Sequence, residues 1–405
     1  MKPLDNRPSP PQNPVMANLL RTVRSAVALS LALAGVTGCS AADRAVMTAP
    51  PCPDSSASPS PETRAPGQAV LMGSVVRGSL PPGPIEGWEE VISVADARNA
   101  IAAVHPDGTV SVVGVDHLGV LGGVGAGAPE VLRPQKVPGV NDVTSVEAVG
   151  STFLATRSDG SVVAWGDGFI ASGGEKGGSR AQPTPALVPR VEKVIGVAYG
   201  QLNALALRSD GKIQAWGTNL TRILGEPDGT EVRTIRGLPG AVSVANPGGA
   251  GIIATGSGDV CAWGNNVHGL LGVEPRGGQT TRAVKVDGLT DIVQVAAGSR
   301  YALARDTEGR VWAWGRSVYG ILGDGNTEDF SISTPRQVVG VPPMRWIGAS
   351  SASSYGIDQT GGLWAWGSNR RVEPYASQDR LPYRIPLPGP AQEVSGEVVL
   401  LEPTG

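Results

Sequence analysis

The sequence predicts an all-β fold: a seven-bladed β-propeller with blades of about 51 residues, closed by one blade shared between the N- and C-terminal strands. Three observations carry this. A short cassette (turn glycine, alternating strand, Trp-Gly) recurs in phase along the chain. An apolar strand precedes each turn. The two ends of the repeat region each carry half of one further cassette.

The full cassettes occupy residues 161–166, 212–217, 259–264, 310–315 and 362–367, and a degenerate copy, 109–114, precedes them. Their closing glycines are Gly114, Gly166, Gly217, Gly264, Gly315 and Gly367, with gaps of 52, 51, 47, 51 and 52 residues. Such self-similarity marks a repeat architecture. Six residues before each closing glycine stands another: Gly108, Gly160, Gly211, Gly258, Gly309 and Gly361. It follows Asp or Glu in four of the six copies, the Asp-Gly type of step that supplies positive φ for a tight hairpin. Apolar residues then alternate with the period of two expected of a strand. The upstream strand shows in Ala204-Leu205-Ala206-Leu207 and Tyr301-Ala302-Leu303-Ala304. A Leu-Gly step follows at a fixed offset (Leu121-Gly122, Leu224-Gly225, Leu271-Gly272, Leu322-Gly323), and a polar loop leads on to a fourth short strand. One such unit cannot bury its own faces, so units stack around an axis. Trp165, Trp216, Trp263, Trp314 and Trp366 share one cassette position, and a large aromatic repeated at one position is read as packing between blades.

The seventh cassette is split. Residues 399–405 parallel 154–160, and residues 68–73 parallel 161–166; joined, they make one cassette with Gly405 at the turn and Gly73 at its close. Pairing the two segments removes the exposed sheet edges of an open ring.

Gly (57) and Pro (34) are abundant among the 405 residues, which in a periodic sequence means turns. Lys and Arg (33) nearly balance Asp and Glu (36) with no basic stripe, so no nucleic-acid partner is expected. Residues 1–39 read as a signal peptide: Arg21 and Arg24 precede an apolar run, Ala26 to Val36, that is too short to span a bilayer. Small residues then lead to Gly38-Cys39. Residues 33–39 resemble a bacterial lipobox, although Val36 stands where Leu is commonest. The resemblance implies lipid attachment at Cys39 and an exported protein held at the bacterial cell envelope by its lipid alone. Met16 begins a more typical signal than Met1 and is the expected true start. Residues 40–66, rich in Ser, Pro and Ala, are expected to be a disordered tether, and 67–405 to form the propeller. Cys52 is expected as an exposed spare thiol or an intermolecular disulfide, and Cys261 as a buried structural thiol.

With its Asp-Gly-x-Val-x-Ala-Trp-Gly cassettes and later Leu-Gly steps, the region from about Gly67 to Gly405 resembles the regulator of chromosome condensation repeat family. That resemblance implies a seven-bladed propeller and leaves function open, since one fold hosts many functions. A member of that family is a guanine nucleotide exchange factor that binds chromatin, a role ill-suited to an exported lipoprotein. An exported bacterial propeller of similar kind inhibits a β-lactamase, with shorter repeats.

No catalytic constellation is legible. His105, His117 and His268 show no metal-ligand spacing, and no nucleophile elbow or phosphate-binding loop is present. Residues 324–329 lack the ligand spacing of a calcium loop. The expectation is a non-enzyme with no cofactor and no metal. Candidate partner-binding residues are those that fail to repeat three to five positions after each cassette: His117, Phe169, Arg222, His268, Tyr319, Arg370 and Arg371, which a propeller places on one rim. The favoured function is a surface-tethered binding module that recognises an envelope or secreted protein through that rim. The alternatives are an envelope enzyme acting at the propeller mouth, an inhibitor of a secreted enzyme, and a scaffold.

Overall fold

The computed structural model describes residues 40–73, 80–97, 99–124, 130–173, 181–200, 203–225, 229–326, 328–368 and 381–403. It contains seven four-stranded antiparallel sheets. Blades 1 to 6 follow the chain, with innermost strands Ser93–Ala97, Val143–Val149, Val194–Tyr199, Ala241–Ala245, Ile292–Gly298 and Met344–Ala349. Blade 7 is composite. From the axis outwards it contains Ala391–Ser395, Val398–Leu401, Ala69–Leu71 and Gly83–Pro84. The innermost strands touch their neighbours all the way round, including blade 7 against blade 1.

The split blade is therefore present, with the register Ala69↔Leu400, Val70↔Val399 and Leu71↔Val398. Backbone bonds from Met72 N–H to Glu397 O (2.8 Å) and Leu401 N–H to Gln68 O (2.9 Å) extend it at both ends. The C-terminal segment supplies the two inner strands and the N-terminal segment the two outer ones. Gly405, the expected turn glycine, lies outside the described residues.

All five cassette tryptophans are fully buried. Each indole N–H donates to a carbonyl in the loop after the cassette of the preceding blade: Trp165 to Val120, Trp216 to Ile170, Trp263 to Ile223, Trp314 to Leu270 and Trp366 to Ile321, at 2.7–3.0 Å. The ring thus fills the space between two blades while its polar edge clips them together. The loop glycine is part of this clip. A Cβ on Gly122 would sit 2.7 Å from Val137 and 3.2 Å from the Trp165 nitrogen, and Gly323 meets Val338 and Trp366 in the same way. The interface between blades 7 and 1 has no cassette tryptophan. Trp88, from the connection between the two blades, fills it and donates to Ser111 Oγ at 2.7 Å.

The inner edge of every blade faces the axis, where backbone N–H groups have no further strand to pair with. Side chains of the preceding blade take over. Ser93 Oγ accepts from Val146 N–H, Ser243 Oγ from Val295, Gln294 Oε1 from Ile347 and Glu393 Oε2 from Val94.

The stretch 40–66 corrects the expectation of a disordered tether. Helix α1 (Ala41–Thr48) begins at Ser40 with a complete capping box to Asp43, and buries Val46 against the outer part of blade 4. The chain then bridges Pro51 to Val284, and Cys52 N–H donates to Ala283 O. Next it crosses the face of the ring that carries the cassette turns, before entering blade 7. Cys52 and Cys261 form an intramolecular disulfide, Cα–Cα 5.8 Å, so neither is a free or structural thiol. Composition misleads here because the segment needs little apolar surface of its own. It lies on glycine-lined ground, where a Cβ on Gly211, Gly240 or Gly256 would collide with residues 55–57, and Gly240 N–H donates to Ser55 O at 2.7 Å.

Candidate functional site

The loops that follow the cassettes emerge on the opposite face from this strap, beside the turns that link first and second strands. His117 Nδ1, for example, meets Ser151 Oγ in such a turn of blade 2 at 3.2 Å, and Arg316 N–H donates to Arg300 O at the equivalent place in blade 5. Most loops turn through a left-handed pair or a single left-handed residue. Gly119, Gly269 and Gly320 have φ of 80°, 78° and 74°, and Arg222 occupies the same place in blade 3 with φ 59°. Asn and Asp side chains lock the loop from inside: Asp116 Oδ1 accepts from Leu121 N–H, Asn219 Oδ1 from Leu224 and Asn266 Oδ1 from Leu271. Anchored at both ends, the loop tips project their side chains outward.

The expected rim residues fall as follows. His117 is exposed, and Arg222, His268 and Tyr319 stand on the tips of blades 3, 4 and 5. Tyr319 has φ 56° and is 54% exposed. Partial burial lowers the His268 pKa, and the guanidinium groups of Arg300 and Arg316 add to the effect. Arg316 is itself forked onto Asp329, with Nε–Oδ1 2.9 Å and Nη2–Oδ2 2.5 Å. Phe169 belongs to a single-turn helix, α2 (Gly168–Ala171), but its side chain is outside the described residues, as are Arg370, Arg371 and Cys39.

Two residues escaped the sequence reading. Leu220 (85% exposed) and Val267 (54%) stand on adjacent blades at the offset of His117 and Phe169. That shared offset was the available signal. With Tyr319 they place large apolar side chains on one rim of three consecutive blades. His105 is half-buried, with Nε2 2.7 Å from Ser111 Oγ. Burial lowers its pKa. Among the described residues, no group of three or more His, Cys, Asp or Glu side chains is placed to hold a metal ion. No helix among them is long and apolar enough to cross a membrane.

A second unusual place lies on the axis. Arg64 of the strap points into the ring, 2.6 Å from Glu62 and 3.4 Å from Glu393 on the inner strand of blade 7. Burial opposes its charge, but Glu393, Glu62 and Glu147 more than compensate and raise its pKa. Burial pushes the Glu147 carboxyl up to about 8, and it raises Glu393 as well despite the opposing charge of Arg64.

A seven-bladed ring whose blades are clipped by cassette tryptophans defines the class: a β-propeller, part of which is similar to a known repeat. Models of the regulator of chromosome condensation (RCC1) repeat match residues 257–305 and 308–356, and a second model of that repeat matches 292–321. Among individual relatives, the human E3 ubiquitin-protein ligase HERC2 is 28% identical over 305 residues, covering 69% of this chain but 6% of its own. The protein pim1 of Schizosaccharomyces pombe is 27% identical over 275 residues, 59% of this chain and 50% of its own. The chain thus spans half or less of the length of these relatives. Human WBSCR16 superposes with a TM-score of 0.72 at 19% identity, over 84% of this chain and 100% of its own. Yeast RCC1 (Prp20) bound to Kap60 superposes with a TM-score of 0.68 at 20% identity, over 83% and 88%. At such identities the superpositions establish the fold.

Proposed function

We propose that this propeller is an exported protein-binding module, fixed to the cell envelope through lipid on Cys39, that recognises a protein partner through the rim formed by the loops after the cassettes. The observation that carries the reading is the run of exposed Leu220, Val267 and Tyr319 on three consecutive blades, at positions where the repeat imposes no residue. Large side chains held on rigid, internally hydrogen-bonded loops lose little freedom on binding, which favours recognition. Yeast Prp20p, one of the structural neighbours, is described by its binding to Gsp1p and histones, so the fold can present protein-binding surfaces. Export is supported by the Cys52–Cys261 disulfide, since such bonds persist in oxidising compartments. Because α1 begins at Ser40 and packs on blade 4, an anchor at Cys39 would hold the ring close against the membrane rather than on a long leash.

The test is proximity labelling in the native envelope with the intact protein and with a Leu220→Ser, Val267→Ser, Tyr319→Ala variant. A neighbour labelled by the first and lost with the second supports the rim. A labelled set that does not change with the variant removes it. Cys39→Ser is expected to release the protein from the membrane fraction.

A further inference from the structure

One inner-strand position breaks the pattern of the ring. In six blades, the residue two places after the edge-capping position is small: Ala95, Ala198, Ala245, Ala296, Gly348 and Ser395. In blade 2 it is Glu147, paired in register with Leu154. Small residues there keep the axis open, so a long carboxylate at that level projects into shared space. Its Oε1 accepts from Ser145 Oγ at 3.1 Å. Its Oε2 is buried and has no hydrogen-bond partner among the described residues. Leaving a buried carboxylate oxygen unpaired is costly, and a protein keeps one where a ligand completes it.

The surroundings specify the ligand. Three carboxylates, Glu62, Glu147 and Glu393, meet near the axis, and Arg64 pairs with Glu62 and Glu393. Arg305 is the other cation near Glu62, and its Nε is held by Gln294 Oε1 at 3.2 Å. Among the described residues no cation is in ion-pair contact with Glu147. The inner strands run from the strap face towards the rim, so Glu147 stands nearer the rim mouth than Glu393 does. At the rim end of the blade 3 inner strand, Tyr199 keeps 38% of its surface exposed, and burial of its phenol, with the charges of Asp96 and then Glu147, raises its pKa. A carboxylate with a free oxygen, with a tyrosine at the rim end of the adjacent inner strand, suits a planar cation that can be hydrogen-bonded and can stack.

We propose that Glu147 is the anchor of an axial subsite for a guanidinium group, reached from the rim mouth and occupied by an arginine side chain of the bound protein. This deepens the rim-binding reading and rests on it only for the source of the arginine. Arg64 is the internal precedent: it satisfies the neighbouring carboxylates from the strap side with the same chemistry. Ser145 is hydrogen-bonded to Glu147, the charges of Glu393, Arg64 and Glu62 act on it, and Tyr199 feels its charge. Burial pushes the Glu147 carboxyl up to about 8, so it carries a proton near neutral pH that an entering guanidinium displaces.

The probe is argininamide, with citrullinamide as the neutral isostere, titrated calorimetrically into the intact protein without any partner. Argininamide is expected to bind, with a heat that changes with the ionisation enthalpy of the buffer because a proton is released. Citrullinamide is expected to bind at least about tenfold more weakly, the discrimination given by one charged hydrogen-bonded contact. Glu147→Gln is expected to cost argininamide the same factor and abolish the buffer dependence. Glu147→Asp serves as a second variant, and near-ultraviolet circular dichroism checks the fold of each. Equal binding of the two amides, no binding of argininamide, or undiminished binding to Glu147→Gln overturns the proposal. Because no partner is present, such a failure leaves the rim reading standing. Loss of rim labelling specificity with argininamide binding intact would remove the rim and keep the subsite.

Discussion

Breaking the Cys52–Cys261 bond should loosen the whole ring, because the bridge closes a loop with a sequence separation of 209 residues. In the chain-entropy description a cross-link of that span removes about 5 kcal/mol of freedom from the unfolded chain. Unfolding entropy of about 2.1 cal/mol/K per residue, over roughly 330 ordered residues, converts this to a melting point lower by about 7 °C. The perturbation is Cys52→Ser, which leaves the fully buried Cys261 in the interior of blade 4 and the hydrogen bonds of residues 52 and 55 in place. The assay is thermal unfolding of the variant beside the parent, with peptide mapping of the unreduced parent. The parent should yield one peptide joining Cys52 to Cys261, and the variant should melt several degrees earlier. Two free thiols at these positions in oxidised native protein, or an unchanged melting point, would refute the reasoning. The second outcome would mean that the strap is already ordered against blade 4 in the unfolded ensemble.

Other perturbations probe separate parts of the structure. Trp216→Phe removes the N–H that satisfies the buried Ile170 carbonyl and leaves a small void between blades 2 and 3. It is expected to cost about 2–4 kcal/mol in denaturant unfolding, and no change would deny the clip. Gly256 is not in the left-handed region, so Gly256→Ala should leave its turn intact and lift the strap. Proteolytic cleavage within 55–65 is expected to accelerate in the variant but not in the parent. Glu147 has a folded pKa raised from 4.5 to about 8, so the folded state retains a proton that the unfolded chain releases. Its contribution is fully present below pH 4.5 and is lost as pH rises towards about 8; Glu147→Gln should flatten the fall in melting point across that interval.

The ring was legible because its determinants repeat. Turn glycines, alternating strands and Trp-Gly closures recur at fixed offsets, and even the divided blade could be read by laying residues 68–73 and 399–405 against the complete copies. The strap was not legible, because nothing in 40–66 repeats. Its order comes from glycines that lie far away in sequence, Gly211, Gly240 and Gly256, and from a cysteine partner in blade 4. Trp88 was likewise invisible, since it fills an interface from a connecting segment rather than from a cassette. Of the rim, the sequence showed which offsets vary but not which side chains stand clear. Tyr319 is exposed as expected, whereas Leu220 and Val267 had to be seen in place. Glu147 and Arg64 act on each other's charge from two segments far apart in sequence, the blade 2 inner strand and the strap, so no local pattern announces them.

The closed ring is tested most directly by hydrogen exchange at its seam. The Leu401 amide donates to Gln68 O and the Met72 amide to Glu397 O, so each chain end protects the other. In the intact protein both amides should exchange as slowly as the inner strands of blades 3 to 5. In a chain lacking residues 69–73, the 398–401 amides that face the missing strand should exchange rapidly and the melting point should fall sharply. Fast exchange at Leu401 in the intact protein, or slow exchange and an unchanged melting point after the deletion, would contradict a ring closed by its two ends.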